Sequence, residues 1–344
     1  MSPSPGRGPL GPEFRLIERL AARLPTGEEM PEGARRRLRY GIGDDAAVWE
    51  QEDGLLGLFT VDTVVEGVHA FPWEPPDAVG GRALTSAVSD IAAMGGHPHF
   101  ALAALQAPPE ADEERLERLY EGMAREAGTL GIAVIGGDVV DTPGPLALAV
   151  AAYGTAREPV WPRDGAKPGD VVAVTGRLGG SRAGLEILSR GAGETEGSLR
   201  ALVERHLRPH ARTGLVSGIR GGSVHAGLDI SDGLSSECWH MALDSGVRVV
   251  LEAERVPLHP DLPGYLGERD PVDFALDSGE EYELLLALPH EHPALERWEQ
   301  TVELTAVGRV EEGDPEVVLE RGGERSPVVA GGHSHRRQRE ASST

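Results

Sequence analysis

The residues of this chain that could do chemistry are mostly aspartates, placed where an unpaired carboxylate would be unfavourable. Asp44 and Asp45 lie between glycines and an apolar run, and Asp62 interrupts an otherwise β-branched strand. Asp90 lies in an Ala-rich segment with helical spacing, although aspartate is a poor helix former. Three more aspartates follow segments typical of buried strands: Asp138, Asp229 and Asp232.

Each of these aspartates also has an ordinary structural interpretation. Asp44 or Asp45 could form a turn, Asp232 could cap a helix, and Asp90 could pair with an arginine. Taken together, however, they indicate a set of oxygen ligands for Mg²⁺, which usually takes one or two carboxylates plus phosphate oxygens. Because Mg²⁺ neutralises phosphates and holds them in line, the pattern predicts an enzyme that transfers a phosphoryl group from ATP.

The usual phosphate-binding motif of ATP-using enzymes, Gly-x-x-x-x-Gly-Lys-Ser/Thr, is absent. Lys167 is the only lysine among 33 basic residues. The turn Gly179-Gly180-Ser181 could bind an anion at a helix N-terminus, but the pattern favours a plain strand–turn–helix connection. Carboxylates that bind several Mg²⁺ ions would neutralise and hold the phosphates in place of the missing lysine.

The composition narrows the class of protein. The 344 residues suffice for two compact domains, and the formal net charge of −23 disfavours both nucleic acid and an anionic membrane as partners. Cys238 is the only cysteine, which excludes an intramolecular disulfide and disfavours a Cys-ligated zinc site. No signal-peptide pattern opens the chain, and the longest apolar run, 146–153, is too short to span a bilayer. These features predict a cytoplasmic protein.

Strands and helices are predicted to mix without strict βαβ alternation, which indicates an α+β protein. The turn-rich segment 161–170 divides a predicted domain at 14–157 from one at 158–337, with flexible ends at 1–13 and 338–344. We expect His97-Pro-His99 to be a loop and Gly136-Gly137 to be a turn. Predicted helices are 14–24, 82–93, 116–130, a segment from about 181, and 234–243. Predicted strands are 54–65, 132–135, 146–153, 171–175, 224–230, 248–253, 283–288 and 302–310.

Seven motifs resemble, in order, those of thiamine-monophosphate kinase. They are Gly-Ile-Gly-Asp-Asp-Ala-Ala-Val at 41–48, Thr-Val-Asp-Thr-Val-Val-Glu-Gly-Val-His at 60–69, Ser-Asp-Ile-Ala-Ala-Met-Gly-Gly at 89–96, Ile-Gly-Gly-Asp at 135–138, Gly-Ala-Lys-Pro-Gly-Asp at 165–170, Leu-Asp-Ile-Ser-Asp-Gly-Leu at 228–234 and Ser-Gly-Glu-Glu-Tyr-Glu-Leu at 278–284. The resemblance covers 14–335. It implies the two-domain fold of aminoimidazole ribonucleotide synthetase and a homodimer whose N-terminal domains pair into a barrel.

The resemblance also implies an activity and a set of site residues. ATP and thiamine monophosphate would give thiamine diphosphate and ADP by direct in-line transfer between Mg²⁺ ions, the last step of thiamine diphosphate biosynthesis. The implied metal ligands are Asp45, Thr60, Val61, Asp62, Asp90, Asp138, Asp229 and Asp232. The implied ATP-binding residues are Tyr120, Gly137, Asp138, Arg163 and Ser231. The implied substrate-binding residues are His69, Glu280 and Glu281.

Two motifs depart from the family pattern. The family's Gly-Gly-Glu-Asp-Tyr reads Ser-Gly-Glu-Glu-Tyr at 278–282, and its closing Gly-Tyr-Asp-His-Phe reads Gly-His-Ser-His-Arg at 332–336. His333 therefore stands where an aromatic residue near the thiamine is expected. Arg163 could instead be a surface residue in a turn, Glu280-Glu281 a solvated turn, and His69 an ordinary core or surface histidine.

The alternatives are another enzyme of the same superfamily and a nucleotide-binding protein without activity. Within the superfamily, the alternatives are an enzyme similar to aminoimidazole ribonucleotide synthetase or to selenophosphate synthetase. The latter relies on a reactive N-terminal cysteine or selenocysteine, and Cys238 lies elsewhere. A hydrogenase-maturation relative would carry a C-terminal cysteine, which this sequence lacks. A silent nucleotide-binding module would have no need of so many acidic ligands. No covalent or general-base residue is expected, because the acceptor is already a phosphate.

Overall fold

A computed structural model describes residues 11–52, 54–191, 197–220, 222–298 and 303–331. Up to residue 156 the helices are α1 (Gly11–Ala21), α2 (Glu32–Arg37), α3 (Pro76–Ala93) and α4 (Glu113–Leu130). The strands of this N-terminal half are β1 (Leu38–Tyr40), β2 (Ala47–Glu50), β3 (Leu56–Val65), β4 (His97–Ala107), β5 (Ala133–Asp141) and β6 (Ala147–Ala156).

The C-terminal half follows the turn-rich segment. Its helices are α5 (Gly180–Ser189), α6 (Ser198–Leu207), α7 (Thr213–Ile219), α8 (Leu234–Ser245), α9 (Leu262–Leu266), α10 (Pro271–Leu276) and α11 (Pro293–Trp298). Its strands are β7 (Val171–Thr175), β8 (Ala226–Asp229), β9 (Arg248–Glu252), β10 (Leu284–Leu288), β11 (Leu304–Glu311), β12 (Glu316–Arg321) and β13 (Glu324–Pro327).

Each half contains one mixed sheet. The N-terminal sheet has the order β1-β2-β3-β6-β4-β5, in which β4 and β5 are parallel and the other neighbours antiparallel. The C-terminal sheet has the order β13-β12-β9-β11-β7-β10-β8, in which only the pair β9 and β12 is parallel. This arrangement confirms the predicted α+β class. Among the described residues, no helix combines the length and the apolar character that a membrane crossing requires.

Helix α3 lies at the centre of the molecule. Its residues Leu84, Val88 and Ile91 are fully buried, and α3 contacts β3 and β6 of its own sheet as well as β8 of the other. Close packing against α4 depends on two glycines: a Cβ added at Gly80 or at Gly122 would lie 1.8 Å from a backbone oxygen of the other helix. The C-terminal end of α3, which carries Asp90, is therefore held firmly between the two sheets.

Most predicted elements are confirmed within a few residues, but two local predictions are wrong. Gly136 and Gly137 do not form a turn, because β5 runs through them to Asp141. The His97-Pro-His99 segment is not a loop but the start of β4, where a register shift between Pro98 and Phe100 tolerates the proline. The strand β4 contains no β-branched residue, and in β5 the two glycines separate Val134-Ile135 from Val139-Val140. Also not predicted were the rest of β4, the strands β1, β2, β12 and β13, and the helices α2, α6, α7, α9, α10 and α11.

Candidate active site

A cavity of about 640 Å³ lies between the two halves of the molecule. The N-terminal half contributes Asp62 from β3 and Asp90 from α3, and the C-terminal half contributes Asp229, Ser231 and Asp232 from the junction between β8 and α8. The structure thus brings together Asp62 and Asp232, which are 170 positions apart in the sequence. With Val61, His69 and Glu280, eight predicted site residues line this cavity.

Three of the predicted ligands form a tight carboxylate cluster. Asp45, Asp90 and Asp229 each offer a carboxylate oxygen, and these oxygens all lie within 4.8 Å of one another. Thr60 donates its hydroxyl to Oδ2 of Asp90 at 2.6 Å, which fixes that side chain. Carboxylate oxygens from three separate segments of the chain therefore lie close together.

The cluster carries more negative charge than the described residues around it neutralise. Burial, followed by the carboxylate of Asp45, raises the pKa of Asp229 to about 8. Burial and the neighbouring acids, first Asp229, hold the pKa of Asp90 well above its usual range. Oδ2 of Asp45 and Oδ2 of Asp229 are buried without a hydrogen-bond partner in the described part of the chain. A hard cation with oxygen ligands fits this donor set, because it would satisfy both the orphaned oxygens and the excess charge.

The cluster makes the stability of the metal-free protein depend on pH. Asp229 has a folded-state pKa of about 8 against an ordinary value of 3.8, so between these values the folded state keeps a proton that the unfolded state has lost. We therefore expect the melting temperature in EDTA to fall as pH rises from about 4 to about 8. Thermal melts with Mg²⁺ should show a smaller fall. An EDTA profile that rises throughout this interval would contradict the assignment.

Arg163 lies against the cluster rather than in a surface turn. Its guanidinium pairs with Oδ1 of Asp45, and its backbone N–H donates to Oδ2 of Asp44 at 3.4 Å. Burial, followed by the charge of Asp45, raises the pKa of Asp44 to about 7. Arg163, which lies within the turn-rich segment 161–170, thus orients Asp44 and Asp45.

Glu237 is an acidic residue of the site that the sequence analysis missed. It is buried in α8, and its Oε1 accepts the backbone N–H of Asp232 at 3.3 Å. Burial, followed by the charge of Asp232, raises its pKa well above the usual range. The available signal was an acidic residue in the first turn of the predicted helix 234–243, which has no other Asp, Glu, Lys or Arg, five positions after Asp232.

The two adjacent glutamates have different environments. Glu280 lines the cavity, together with His69 and the half-buried Phe71. Glu281 does not: its fully buried carboxylate accepts hydrogen bonds from the backbone N–H of Gly179 and the hydroxyl of Ser278, both at 2.7 Å. Glu281 therefore fastens the start of α5, and Glu280 is the acid of the pair that faces the cavity.

Three of the predicted ATP-side residues lie in a second place. Tyr120, Gly137 and Asp138 line a separate hollow of about 650 Å³ between α4 and the edge strand β5. The register runs from Asp62 through Val150 and Ala103 to Gly137, which is three strand spacings or about 14 Å. Within one protomer Asp138 is therefore too far from Asp62 to share an ion with it.

Three further predicted residues have defined local environments. Val61 lines the main cavity beside Asp62, and its side chain is exposed. Val65 donates its backbone N–H to Nδ1 of His69 at 3.0 Å, which sets the ring orientation. Gly137 also has a structural reason to be glycine, because an added Cβ would lie 1.8 Å from the backbone oxygen of Ala103. His333 lies outside the described residues.

Comparison with known proteins finds two matching domains and several similar enzymes. Residues 43–156 match the N-terminal domain and residues 167–320 the C-terminal domain of AIR synthase related proteins. Thiamine-monophosphate kinase of Aquifex aeolicus (strain VF5) is 39% identical over 275 residues, 79% of this chain and 87% of the relative. The enzyme of the same name from Bacillus subtilis (strain 168) is 36% identical over 251 residues, 71% of this chain and 76% of the relative.

A solved structure gives the same result. The structure of AaThiL complexed with AMPPCP and TMP matches with a TM-score of 0.81 at 36% identity, covering 94% of this chain and 96% of that one. The match spans both sheets and the cavity between them. The chain belongs to the thiamine-monophosphate kinase family.

Proposed function

We propose that this enzyme transfers the γ-phosphoryl group of ATP directly to thiamine monophosphate, giving thiamine diphosphate and ADP, the last step of thiamine diphosphate biosynthesis. The observation that carries the proposal is the buried carboxylate cluster at one side of a cavity whose other wall presents Glu280 and His69. The names of the relatives and the bound AMPPCP and TMP of the solved structure support it. A cytoplasmic location stays a prediction.

The carboxylate cluster would hold the metal. Bound there, several Mg²⁺ ions would neutralise the two polyanions that must approach each other. The proposed ligands are the cluster itself with further oxygens around it: Asp45, Asp90, Asp229, Thr60, Val61, Asp62 and Asp232. Arg163 and Thr60 orient two of the carboxylates, so the site is held in place before ligands arrive.

The acceptor needs little chemical activation. A phosphate oxygen of thiamine monophosphate, ionised at neutral pH, forms the new bond to the γ-phosphorus, while the bond between that phosphorus and its bridging oxygen to ADP breaks. The chain's task is therefore to position both substrates in line. We assign the acceptor to the wall with Glu280 and His69, where a carboxylate suits a thiazolium cation, and the nucleotide to Ser231, Tyr120 and Gly137.

We further propose that the enzyme works as a homodimer in which Asp138 comes from the partner subunit. The pairing of β2 with β3 extends only as far as Phe59. Residues 60–65 of β3 therefore have a strand on only one side in the described structure. Strand β5 is the other open edge, and the sheet face around it is apolar and exposed. Exposed apolar side chains on β3, β4 and β5 are Phe59, Val61, Phe100, Leu102, Ile135 and Val139.

Pairing two copies would join these features. If β5 of one protomer lies beside the open half of β3 of the other, the partner subunit's Asp138 comes within about one strand spacing, roughly 5 Å, of β3. The apolar faces would then be buried in a barrel. Both groups of nucleotide and metal residues would meet at one site, which a single chain does not achieve.

The acceptor assignment predicts selectivity. We expect turnover of thiamine monophosphate and little or no turnover of free thiamine, because the phosphate acceptor is already ionised, whereas an alcohol would have to be deprotonated. Chromatographic separation of the thiamine phosphates after incubation with ATP and Mg²⁺ measures this. Efficient phosphorylation of free thiamine, or none of the monophosphate, would refute the proposal.

A second prediction compares the two basic residues around the boundary segment. Lys167 is exposed, so Lys167→Ala should leave kcat and the KM for ATP within about twofold of the wild type. Arg163→Ala should raise the KM for ATP and lower the melting temperature, because it removes the partner of buried Asp45. Steady-state kinetics of both variants test this. The opposite ranking would mean that the phosphate-binding groups lie elsewhere.

A further inference from the structure

A buried charge network outside the carboxylate cluster joins the two halves of the molecule. It consists of Glu74, Arg82 on α3, His206 on α6, and Glu280, with side-chain exposures of 0%, 1%, 1% and 24%. Nη2 of Arg82 donates to Oε2 of Glu74 at 2.8 Å. Nε2 of His206 lies 2.9 Å from both Nη1 of Arg82 and Oε1 of Glu74. Glu280 and His206 line the cavity, whereas Glu74 and Arg82 do not.

Arg82 contacts both residues assigned to the acceptor. Its Nη2 also donates to the backbone oxygen of His69 at 2.7 Å, and its Nε lies 3.8 Å from Oε1 of Glu280. That Nε is buried and has no hydrogen-bond partner among the described residues. Nδ1 of His206 lies 3.7 Å from Oε2 of Glu280. One buried guanidinium is therefore the common neighbour of His69 and Glu280.

The backbone at Glu280 is strained. Its φ is +54°, and that of Tyr282 is +50°, a left-handed conformation that side chains other than glycine rarely adopt. The N–H of Glu280 donates to the backbone oxygen of Ser231 at 2.6 Å. Such conformations persist only when the surroundings enforce them, and they concentrate at ligand-binding sites.

The distances between Glu280 and its two basic neighbours exceed those of direct hydrogen bonds. Arg82 therefore holds the carboxylate by charge, with His206 beside it, and leaves its oxygens able to accept from a ligand. The acceptor offers such donors in the amino group of its pyrimidine ring, and its thiazolium ring carries a positive charge. Mere attachment of the two halves would not require a neighbour that remains partly open to the cavity.

We propose that Arg82, assisted by His206, is a positioning residue for the acceptor: it orients Glu280 and the backbone of His69 on the cavity wall. This inference rests on the proposed function, because it assumes that Glu280 faces thiamine monophosphate. Since Arg82 belongs to the N-terminal half and Glu280 to the C-terminal half, the acceptor side of the cavity forms only when both halves are in register.

The test is a double-mutant cycle with Arg82→Gln, Glu280→Gln and the double variant. Each single change should raise the KM for thiamine monophosphate by at least about tenfold, the size expected for a contact to a charged group. The KM for ATP should stay within about twofold. If Arg82 acts through Glu280, the double variant should be no worse than the worse single variant. The matched control is Arg125→Gln, which removes a surface guanidinium paired with Asp77 and should change neither KM.

Three results would overturn the inference. Additive effects in the cycle, or equal increases in both KM values, would make Arg82 a purely structural residue. An unchanged KM for thiamine monophosphate in Glu280→Gln would remove the acceptor-side assignment as well, although phosphorylation of thiamine monophosphate itself would stand. If Arg82→Gln does not fold, because Glu74 is left buried without its partner, the same cycle with His206→Gln decides the question, since that variant keeps the ion pair of Arg82 and Glu74.

Discussion

Asp90→Asn should lower kcat by at least about a hundredfold, the scale of losing one group that stabilises transition-state charge. The same change should raise the melting temperature of the metal-free protein. Both effects have one cause: Asp90 is buried beside Asp45 and Asp229, and its negative charge is unfavourable until a cation binds. Steady-state kinetics with Mg²⁺ and thermal melts in EDTA measure the two effects on one sample.

The control for this experiment is Asp112→Asn. Asp112 caps α4 by accepting the N–H of Glu114, and asparagine caps a helix about as well. This variant should therefore keep wild-type kcat and stability. Near-normal kcat in Asp90→Asn and in Asp62→Asn would contradict the metal-cluster assignment. A lower melting temperature of Asp90→Asn in EDTA would contradict the repulsion on which the account rests.

Mixing two inactive variants should restore activity. Asp62→Asn and Asp138→Asn should each lose at least about a hundredfold in kcat. In a heterodimer of the two, one site receives both altered residues and the other receives both intact ones. Random exchange of equal amounts makes about half of the dimers mixed, so about a quarter of the wild-type activity should return. The expectation follows from the distance of about 14 Å between Asp62 and β5 within one chain.

The measurement uses the two purified variants, unfolded together and refolded, with each variant refolded alone as the control. Activity only in the mixed sample supports a site shared between protomers. A mixture as inactive as its components, in a sample shown to contain heterodimers, would mean that all ligands of one site come from one chain. The dimer proposal would then lose its functional role.

The acidic residues could be found from the sequence because each occupies an unfavourable position. Asp62 interrupts an apolar strand and Asp90 an apolar helix, so their side chains needed a reason beyond folding. That Asp90, Asp45 and Asp229 meet could not be read from spacing, because it depends on how α3 packs between two sheets. The resemblance to a family supplied the grouping that periodicity alone could not.

Other features could not be predicted for physical reasons. Glu280 and Glu281 are adjacent, and only the left-handed backbone at Glu280 decides which one faces the cavity. Arg82, Glu74 and His206 look like ordinary helix and loop residues, since nothing local shows that they are buried together. The first part of β5 was predicted as a strand, but Gly136-Gly137 was predicted as a turn because glycines weaken the strand pattern. In the structure Gly137 is needed for close approach to β4.

The most direct test of the account follows the phosphorus atom itself. Purified protein is incubated with ATP labelled in the γ-phosphate, Mg²⁺ and thiamine monophosphate, and labelled thiamine diphosphate is quantified against ADP. We predict one labelled thiamine diphosphate for each ADP, no labelled protein on rapid quenching, and complete loss of the reaction in EDTA with recovery on added Mg²⁺. Label appearing in inorganic phosphate or on the protein instead of in thiamine diphosphate would contradict the central claim.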